Sequence, residues 1–164
     1  MITKINLVKI LQGVENMTWH IATFNELSND DLYQILKRRT DIFVVEQNCA
    51  YPELDNNDQK STHYYLKKGE EIIAYARIIP KGSKYPVVSI GRVLVTEENR
   101  GHGYARELMV RVINFIKNEW NEQTIQIQAQ EYLNDFYSSL GFKQISEPYL
   151  EDGIPHIDML FEGN

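Results

Sequence analysis

Val93-Leu94-Val95-Thr96-Glu97-Glu98-Asn99-Arg100-Gly101-His102-Gly103-Tyr104-Ala105-Arg106 is the stretch on which the fold turns. The β-branched residues 87–95 that lead into it predict a strand. Leu108, Val112, Ile113 and Ile116, which follow at helical spacing, predict a helix with one apolar face. Strand, glycine-rich turn and helix N-terminus together make an anion site. The first backbone N–H groups of a helix have no internal partners, and the dipole there favours negative charge. Gly101 and Gly103 let a phosphate approach the backbone closely. Arg100, Arg106 and His102 can add charge-assisted contacts. A P-loop would need Gly-Lys followed by Ser or Thr, which is absent. A dinucleotide fingerprint would need a glycine where Arg106 stands, and would open a parallel βαβ unit. The plainer alternative is a turn whose glycines only ease the chain into a helix.

Outward from this stretch the pattern is mixed α/β. Residues 19–24 read as a strand, and Ser28 reads as the N-cap of a helix with Asp31 at its third position. That helix should carry Leu32, Ile35, Leu36, Ile42 and Phe43 and run into Val44-Val45-Glu46-Gln47. Residues 48–62 are polar and turn-rich, a loop. Residues 63–66 and 72–79 predict two strands joined at Lys68-Gly69-Glu70. Residues 81–86 form a second turn before the strand at 87–95, where Gly91 predicts a bulge or a close approach. After the central helix, residues 125–129 alternate as a strand. Residues 133–140 make a short helix closed by Gly141, and residues 142–149 and 156–161 pair about a turn at Asp152-Gly153. Most neighbouring strands are therefore joined by hairpins.

The 164 residues suit one domain with a real core, and 43% hydrophobic against 24% charged residues is ordinary globular composition. A net charge of −6 argues against a nucleic-acid binder, which needs a basic face. It suits a cationic acceptor, and the carboxylates Glu46, Asp55, Asp58, Glu151 and Asp152 suggest an acidic substrate site. The single cysteine excludes an intrachain disulfide and points to a reducing cytoplasm. No apolar run reaches the length of a membrane span. Residues 1–16 carry a broken apolar pattern that lacks a cleavage site. The domain is expected to occupy residues 17–164, with residues 1–16 as an extension.

Asn134-Asp135-Phe136-Tyr137-Ser138-Ser139-Leu140-Gly141-Phe142 adds a second motif at a fixed interval, with one helix and one strand between it and the glycine-rich turn. Arg100, Gly103 and Ala105 resemble the Arg/Gln-x-x-Gly-x-Gly/Ala loop of the GNAT N-acetyltransferases. The second motif resembles their Phe-Tyr-x-x-x-Gly-Phe signature. Phe43-Val44-Val45-Glu46-Gln47-Asn48-Cys49, Ile90-Gly91-Arg92-Val93, Ala129-Gln130 and Glu151-Asp152-Gly153-Ile154-Pro155-His156-Ile157 are similar to the ElaA-like subgroup. The resemblance covers everything but the N-terminal extension.

It implies a V-shaped, mixed, mostly antiparallel sheet flanked by helices and split between residues 87–95 and 124–129. It also implies acetyl-CoA as acyl donor, a small amine as acceptor and no metal, with a homodimer as a common state. Pantetheine would pair with backbone near Val93, Leu94 and Val95. Pyrophosphate would lie on the amides of Gly101, His102, Gly103, Tyr104, Ala105 and Arg106 beside Arg100. Asn134 would contact the pantetheine arm, and Tyr137 would stand near the sulfur.

Direct attack of an amine on a thioester needs a base, a carbonyl polariser, and an acid for the departing thiolate. Tyr137 is the expected acid, because a phenol with a pKa near 10 is protonated at neutral pH. Its alternative role is packing beside Phe136 and Phe142. A backbone N–H near Leu94 or Val95 is the polariser the resemblance implies. Glu46, at the end of an apolar Phe-Val-Val run, and His156, of a residue type that titrates near neutrality, are both candidates for base or substrate contact. Arg77 and Arg92 lie inside strands, where unpaired charge is costly, and should pair with carboxylates such as Glu46, Asp55 or Asp58. Cys49 lacks a spaced partner and reads as a small buried residue. The four histidines lack metal-ligand spacing. A catalytically silent acyl-CoA-binding module, or a scaffold, would keep the loop without needing Tyr137.

Overall fold

Helices pack on both faces of one eight-stranded sheet in the computed structural model, which describes residues 16–163. The chain runs β1 (Met17–Thr23), α1 (Asn29–Arg39), a widened helical segment (Thr40–Glu46), β2 (Thr62–Lys68), β3 (Glu71–Ile79), β4 (Val88–Val95), α2 (Tyr104–Glu119), β5 (Thr124–Gln130), α3 (Asn134–Ser138), β6 (Phe142–Gln144), β7 (Tyr149–Glu151) and β8 (Ile154–Glu162). In space the order is β1-β2-β3-β4-β5-β8, with β6 and β7 both pairing to β8. Every pairing is antiparallel except β4 with β5. The mixed, mostly antiparallel architecture expected from the sequence is thus present.

The apolar face of α2 explains the larger core. Leu108, Met109, Val112, Ile113 and Ile116 bury against Ile73, Val88, Ile125 and Met159, so one helix spans both halves of the sheet. Ile35 of α1 and Ile42 close the second core against Ala22, Tyr65, Ile72, Tyr75 and Leu94. With a core on each side, β3 is buried at every position after Glu71, which is why its sequence there is apolar at every residue but Arg77 rather than alternating. Each fully buried leucine or isoleucine contributes roughly 1.5–3 kcal/mol.

Between β4 and β5 the sheet opens. Their parallel ladder holds only Val88↔Ile125 and Ser89↔Gln126. Beyond it β4 is bent by a bulge: along β3 the register advances from Tyr75 to Arg77 while β4 moves from Leu94 to Gly91, one residue more. The sequence pointed to Gly91. The residue in the left-handed region is its neighbour Arg92, with φ +53°. That conformation costs a residue with a side chain about 1–2 kcal/mol, and the anchoring of Arg92 described below offsets it.

Other local readings shift for identifiable reasons. Ser28 caps α1 as expected, accepting from the Asp31 N–H at 3.0 Å. The helix then widens instead of continuing: the Gln47 N–H donates to the Ile42 carbonyl at 3.1 Å and the Cys49 N–H to the Val44 carbonyl at 3.0 Å, both five residues back. The strand expected over residues 142–149 breaks in two. There the Ser146 hydroxyl accepts the Asp158 N–H at 2.8 Å in place of a backbone carbonyl, and Pro148 has no N–H to offer. Gly141 is at φ +97°, where a Cβ would come within 3.1 Å of the Phe161 ring. Asp152 and Gly153 are both at positive φ in the β7–β8 turn, the pattern of a two-residue hairpin. The expected extension, residues 1–16, lies outside the described residues except for Asn16, whose carbonyl accepts the Gly69 N–H at 2.9 Å. Among the described residues no helix is long and apolar enough to cross a membrane.

Candidate active site

Because β4 and β5 part after two pairs, each presents a backbone edge to the space between them. That space is a cavity of about 450 Å³, within the range of small-ligand sites. Ile90 through Val95 form one wall and Ile127 through Gln130 the other. Leu133, Phe136 and Tyr137 close one end. Lys84 and Tyr85 of the β3–β4 turn and the β7–β8 hairpin border another part.

The glycine-rich turn stands at the cavity's rim. Gly101 and Gly103 take φ +80° and +82°, and a Cβ at either would meet nothing within 4 Å, so it is the backbone conformation that calls for glycine here. Gly103 is the N-cap of α2, and no side chain caps the helix. The amides of Tyr104, Ala105 and Arg106 therefore open the helix without internal acceptors. The His102 ring is turned back, its Nδ1 donating to the Asn99 carbonyl at 3.1 Å, while Asn99 Nδ2 donates to the Thr96 hydroxyl at 2.8 Å. Arg106 donates to the Ser139 hydroxyl at 2.8 Å. Arg100 and Ala105 reach the cavity wall; Gly101, His102, Gly103, Tyr104 and Arg106 continue the turn outside it.

Arg100 is held by two groups. Its Nε donates to the Val95 carbonyl at 3.0 Å, and its two terminal nitrogens donate to Glu46 at 2.7 and 2.9 Å. The widened segment after α1 is what carries Glu46 to this point. The hydrogen bond from Arg100 lowers the Glu46 pKa below the usual carboxylate value, and this outweighs a small opposing effect of burial. Such a carboxylate is a poorer proton acceptor.

Tyr137 lines the cavity from α3, with its ring edge-on to Phe136 and Phe142 at centroid distances of 5.0 and 6.0 Å. Burial raises its phenol pKa well above the ordinary value, so the proton stays on. His156 also lines the cavity, and its Nδ1 lies 2.7 Å from the Ile154 carbonyl. A carbonyl only accepts, so Nδ1 carries hydrogen and the neutral ring keeps a free lone pair on Nε2. Asn134 sits at the start of α3 away from the cavity lining, donating to Gln144 at 3.0 Å and accepting from Ser138 at 3.0 Å. Cys49 is buried, its thiol 3.5 Å from the Asp152 carbonyl.

Beneath the β4 wall lies a charge network that the sequence half foretold. Arg77 donates to Asp55 at 2.7 and 2.8 Å and to Asp58 at 2.9 Å, and Arg92 donates to Glu53 at 2.6 Å. Arg39 completes it, bonding Glu53 and, at 2.6 Å, Asp58. Nothing in Lys37-Arg38-Arg39 distinguishes Arg39 from a solvated helix end, yet it is 0% exposed. His63 joins below, with Tyr75 hydroxyl at 2.7 Å and the Asp58 carbonyl at 3.0 Å from its two nitrogens. Three guanidinium groups thus meet three carboxylates. The expected acidic substrate site narrows here to fewer of its five carboxylates. Asp55 and Asp58 are neutralised by the arginines, Glu46 by Arg100, and only Glu151 and Asp152 of the five line the cavity without a cation of the described residues in ion-pair contact.

A split sheet with an open β4 edge, an uncapped glycine-rich helix start at its rim and a buried phenol meet at one cavity, the arrangement that the resemblance implied for an acyl-CoA-dependent transferase. Comparisons with known proteins agree. A family model described as an acetyltransferase (GNAT) domain matches residues 23–162. The ElaA protein of Escherichia coli is 38% identical over 146 residues, covering 88% of this chain and 95% of that protein. Its crystal structure superposes with a TM-score of 0.84 over 90% of this chain and all (100%) of that one. A crystal structure of an acyl-CoA N-acyltransferase from Pseudomonas aeruginosa gives a TM-score of 0.85 at 33% identity, covering 89% of this chain and 99% of that one. The chain belongs to the GNAT acetyltransferase family, and within it is similar to ElaA.

Proposed function

We propose that this protein transfers an acetyl group from acetyl-CoA to a primary amine by direct attack of the amine on the thioester. Family membership supports acyl transfer. The observation that carries the finer reading is the convergence of the open β4 edge, the uncapped α2 N-terminus and Tyr137 on one cavity. Acetyl-CoA would supply the activated carbonyl and a thiolate leaving group. The amides at residues 101–106 and Arg100 would hold its pyrophosphate, and the unpaired edge of Val93, Leu94 and Val95 would receive its amide-bearing arm. A backbone N–H on that edge would polarise the carbonyl. The amine nitrogen bonds to the carbonyl carbon as the C–S bond breaks, the amine proton passes to a base, and the sulfur draws a proton from Tyr137.

The geometry favours His156 over Glu46 as that base. Nε2 of His156 has a free lone pair, whereas Glu46 is paired with Arg100, which lowers its pKa, unless a bound pyrophosphate draws that arginine away. A single cysteine suits a reducing, cytoplasmic setting. The test is thiol release from acetyl-CoA with a panel of amines, for wild type and His156→Gln. General-base loss predicts a fall in kcat/KM of about 10²–10⁴-fold with acetyl-CoA affinity retained. Wild-type turnover in the variant would move the role to Glu46 or to water, and hydroxyl-only acceptors would overturn amine transfer.

A further inference from the structure

Lys84 lies in the turn between β3 and β4 and lines the cleft together with Gln128, Glu151, Asp152 and His156. Every other cation near this part of the cleft has its anion: Arg39, Arg77 and Arg92 share Glu53, Asp55 and Asp58, and Arg100 holds Glu46. Lys84 does not. Its ammonium donates to the Gln128 side-chain carbonyl at 3.3 Å and lies 5.3 Å from the Tyr85 ring centroid, with no carboxylate of the described residues in ion-pair contact. Although the side chain is exposed, partial desolvation by the cleft walls lowers its pKa. Glu151 acts against that at longer range, and Arg92 and Arg77 reinforce it by like-charge repulsion. Lys84 is exposed at the border of the cleft, so an anion on an entering ligand can reach its ammonium directly and pair with it by a charge-assisted hydrogen bond. On the β7–β8 hairpin of the same cleft, Glu151 and Asp152 have no cation of the described residues in ion-pair contact, so the acceptor region presents solvated charge of both signs.

Building on the amine-acceptor reading, we propose that the acyl acceptor is an amino acid or a close analogue, whose carboxylate is bound by Lys84 while its amino group enters past Glu151 and Asp152. The ammonium form is drawn in by these carboxylates and loses one proton to solvent before attack, which leaves the Nε2 lone pair of His156 to take the second as the amide forms. Lys84 is then the residue that sets acceptor specificity, and it touches substrate rather than the reacting bond. A purely polycationic acceptor is disfavoured, because its second ammonium would be placed against Lys84.

The inference is tested by matched acceptors that differ only at the carboxylate: leucine against leucinamide, and β-alanine against β-alaninamide. Thiol release from acetyl-CoA gives kcat/KM for each in wild type, Lys84→Met and Lys84→Arg, with acetyl-CoA affinity measured by calorimetry beside them. A charged hydrogen bond predicts an acid-over-amide preference of at least about tenfold in wild type. The preference should fall toward unity in Lys84→Met and be largely kept in Lys84→Arg. Equal rates for acid and amide, better rates with polyamines, a preference that survives Lys84→Met, or loss of acetyl-CoA affinity in that variant would each overturn it. Thiol release with no amine, while acetyl-CoA still binds, would instead overturn the amine-acceptor reading itself.

Discussion

Two sets of arginine–carboxylate contacts, made of the same atoms, behave as different devices. Arg39 and Arg77 are 0% and 1% exposed and lie in a closed network with Glu53, Asp55 and Asp58. The Arg100–Glu46 side chains are 41% and 39% exposed at the rim of the cleft. In the first set, around Arg39, Glu53 and Asp58, water has no room to replace a lost partner, so these groups depend on one another. In the second, water and salt screen the pair and a ligand phosphate can compete for the arginine. Burial, rather than the pairing itself, makes one set a support for the β4 bulge and leaves the other available to a cofactor.

The largest expected effect breaks the buried set. Arg39→Met leaves Glu53 and Asp58 enclosed without their guanidinium, and should lower unfolding free energy in urea by about 3–5 kcal/mol. A loss below about 1 kcal/mol would show that this network is not structural. The same set should limit acid stability. Burial pushes the Asp55 and Asp58 carboxyls up, but the arginines around them prevail and leave both below the ordinary value. Such groups contribute stability above the unfolded carboxylate pKa, about 3.9, that is lost as pH falls through the folded value. Burial likewise depresses His63, whose contribution is present above about 6.5 and is lost earlier, as pH falls below that value. A stability profile flat from pH 7 to 5 would remove His63 from this account.

Gly103→Asp addresses the open rim. It places a carboxylate at an N-cap of φ +82°, next to where a pyrophosphate would sit. Acetyl-CoA affinity should fall about a hundredfold or more, or roughly 2.7 kcal/mol, in a protein that still folds. Unchanged affinity by calorimetry would sink the assignment of the turn to the cofactor. Tyr137→Phe keeps the ring packing and removes only the hydroxyl. A loss in kcat of about tenfold to a hundredfold is expected, the low end of general-acid catalysis, because a phenol with a raised pKa gives up its proton reluctantly. Wild-type turnover would make Tyr137 a packing residue.

Glu46→Gln is the smallest change and the counterpart of the first. It should shift stability by no more than about 1 kcal/mol, with most of that difference gone in 1 M salt. A cost matching that of Arg39→Met would erase the distinction between the two sets.

Much of the architecture could be read because it follows from neighbouring residues. The Ser28 cap, the apolar face of α2 and the Asp152-Gly153 turn each depend on a few consecutive side chains, and each stands where expected, while α3 ends at Ser138 and two turn residues separate it from Gly141. The bulge was misplaced by one residue because a glycine is the usual mark of left-handed backbone, whereas here Arg92 is held in that conformation by Glu53 from outside the strand. The widening after α1 left no composition signal, since its residues are as apolar as a regular continuation would be. Arg77 and Arg92 were expected to pair and do. The assignment of particular carboxylates was only partly legible, and Lys84 and Arg39 were not legible at all.

The strand–turn–helix at residues 87–119, the second motif at residues 134–142 and hence the family were readable from contiguous residues, because these set backbone conformation and helix-end electrostatics. Tertiary structure alone decided which charges remain available. Arg100 meets Glu46 across 54 positions and Arg92 meets Glu53 across 39, while Lys84 is left with the Gln128 amide, 44 positions away, and no carboxylate. An ion pair acts over a few ångströms in space and is indifferent to distance along the chain, so only the folded molecule separates the charges that hold it together from those left to meet a substrate.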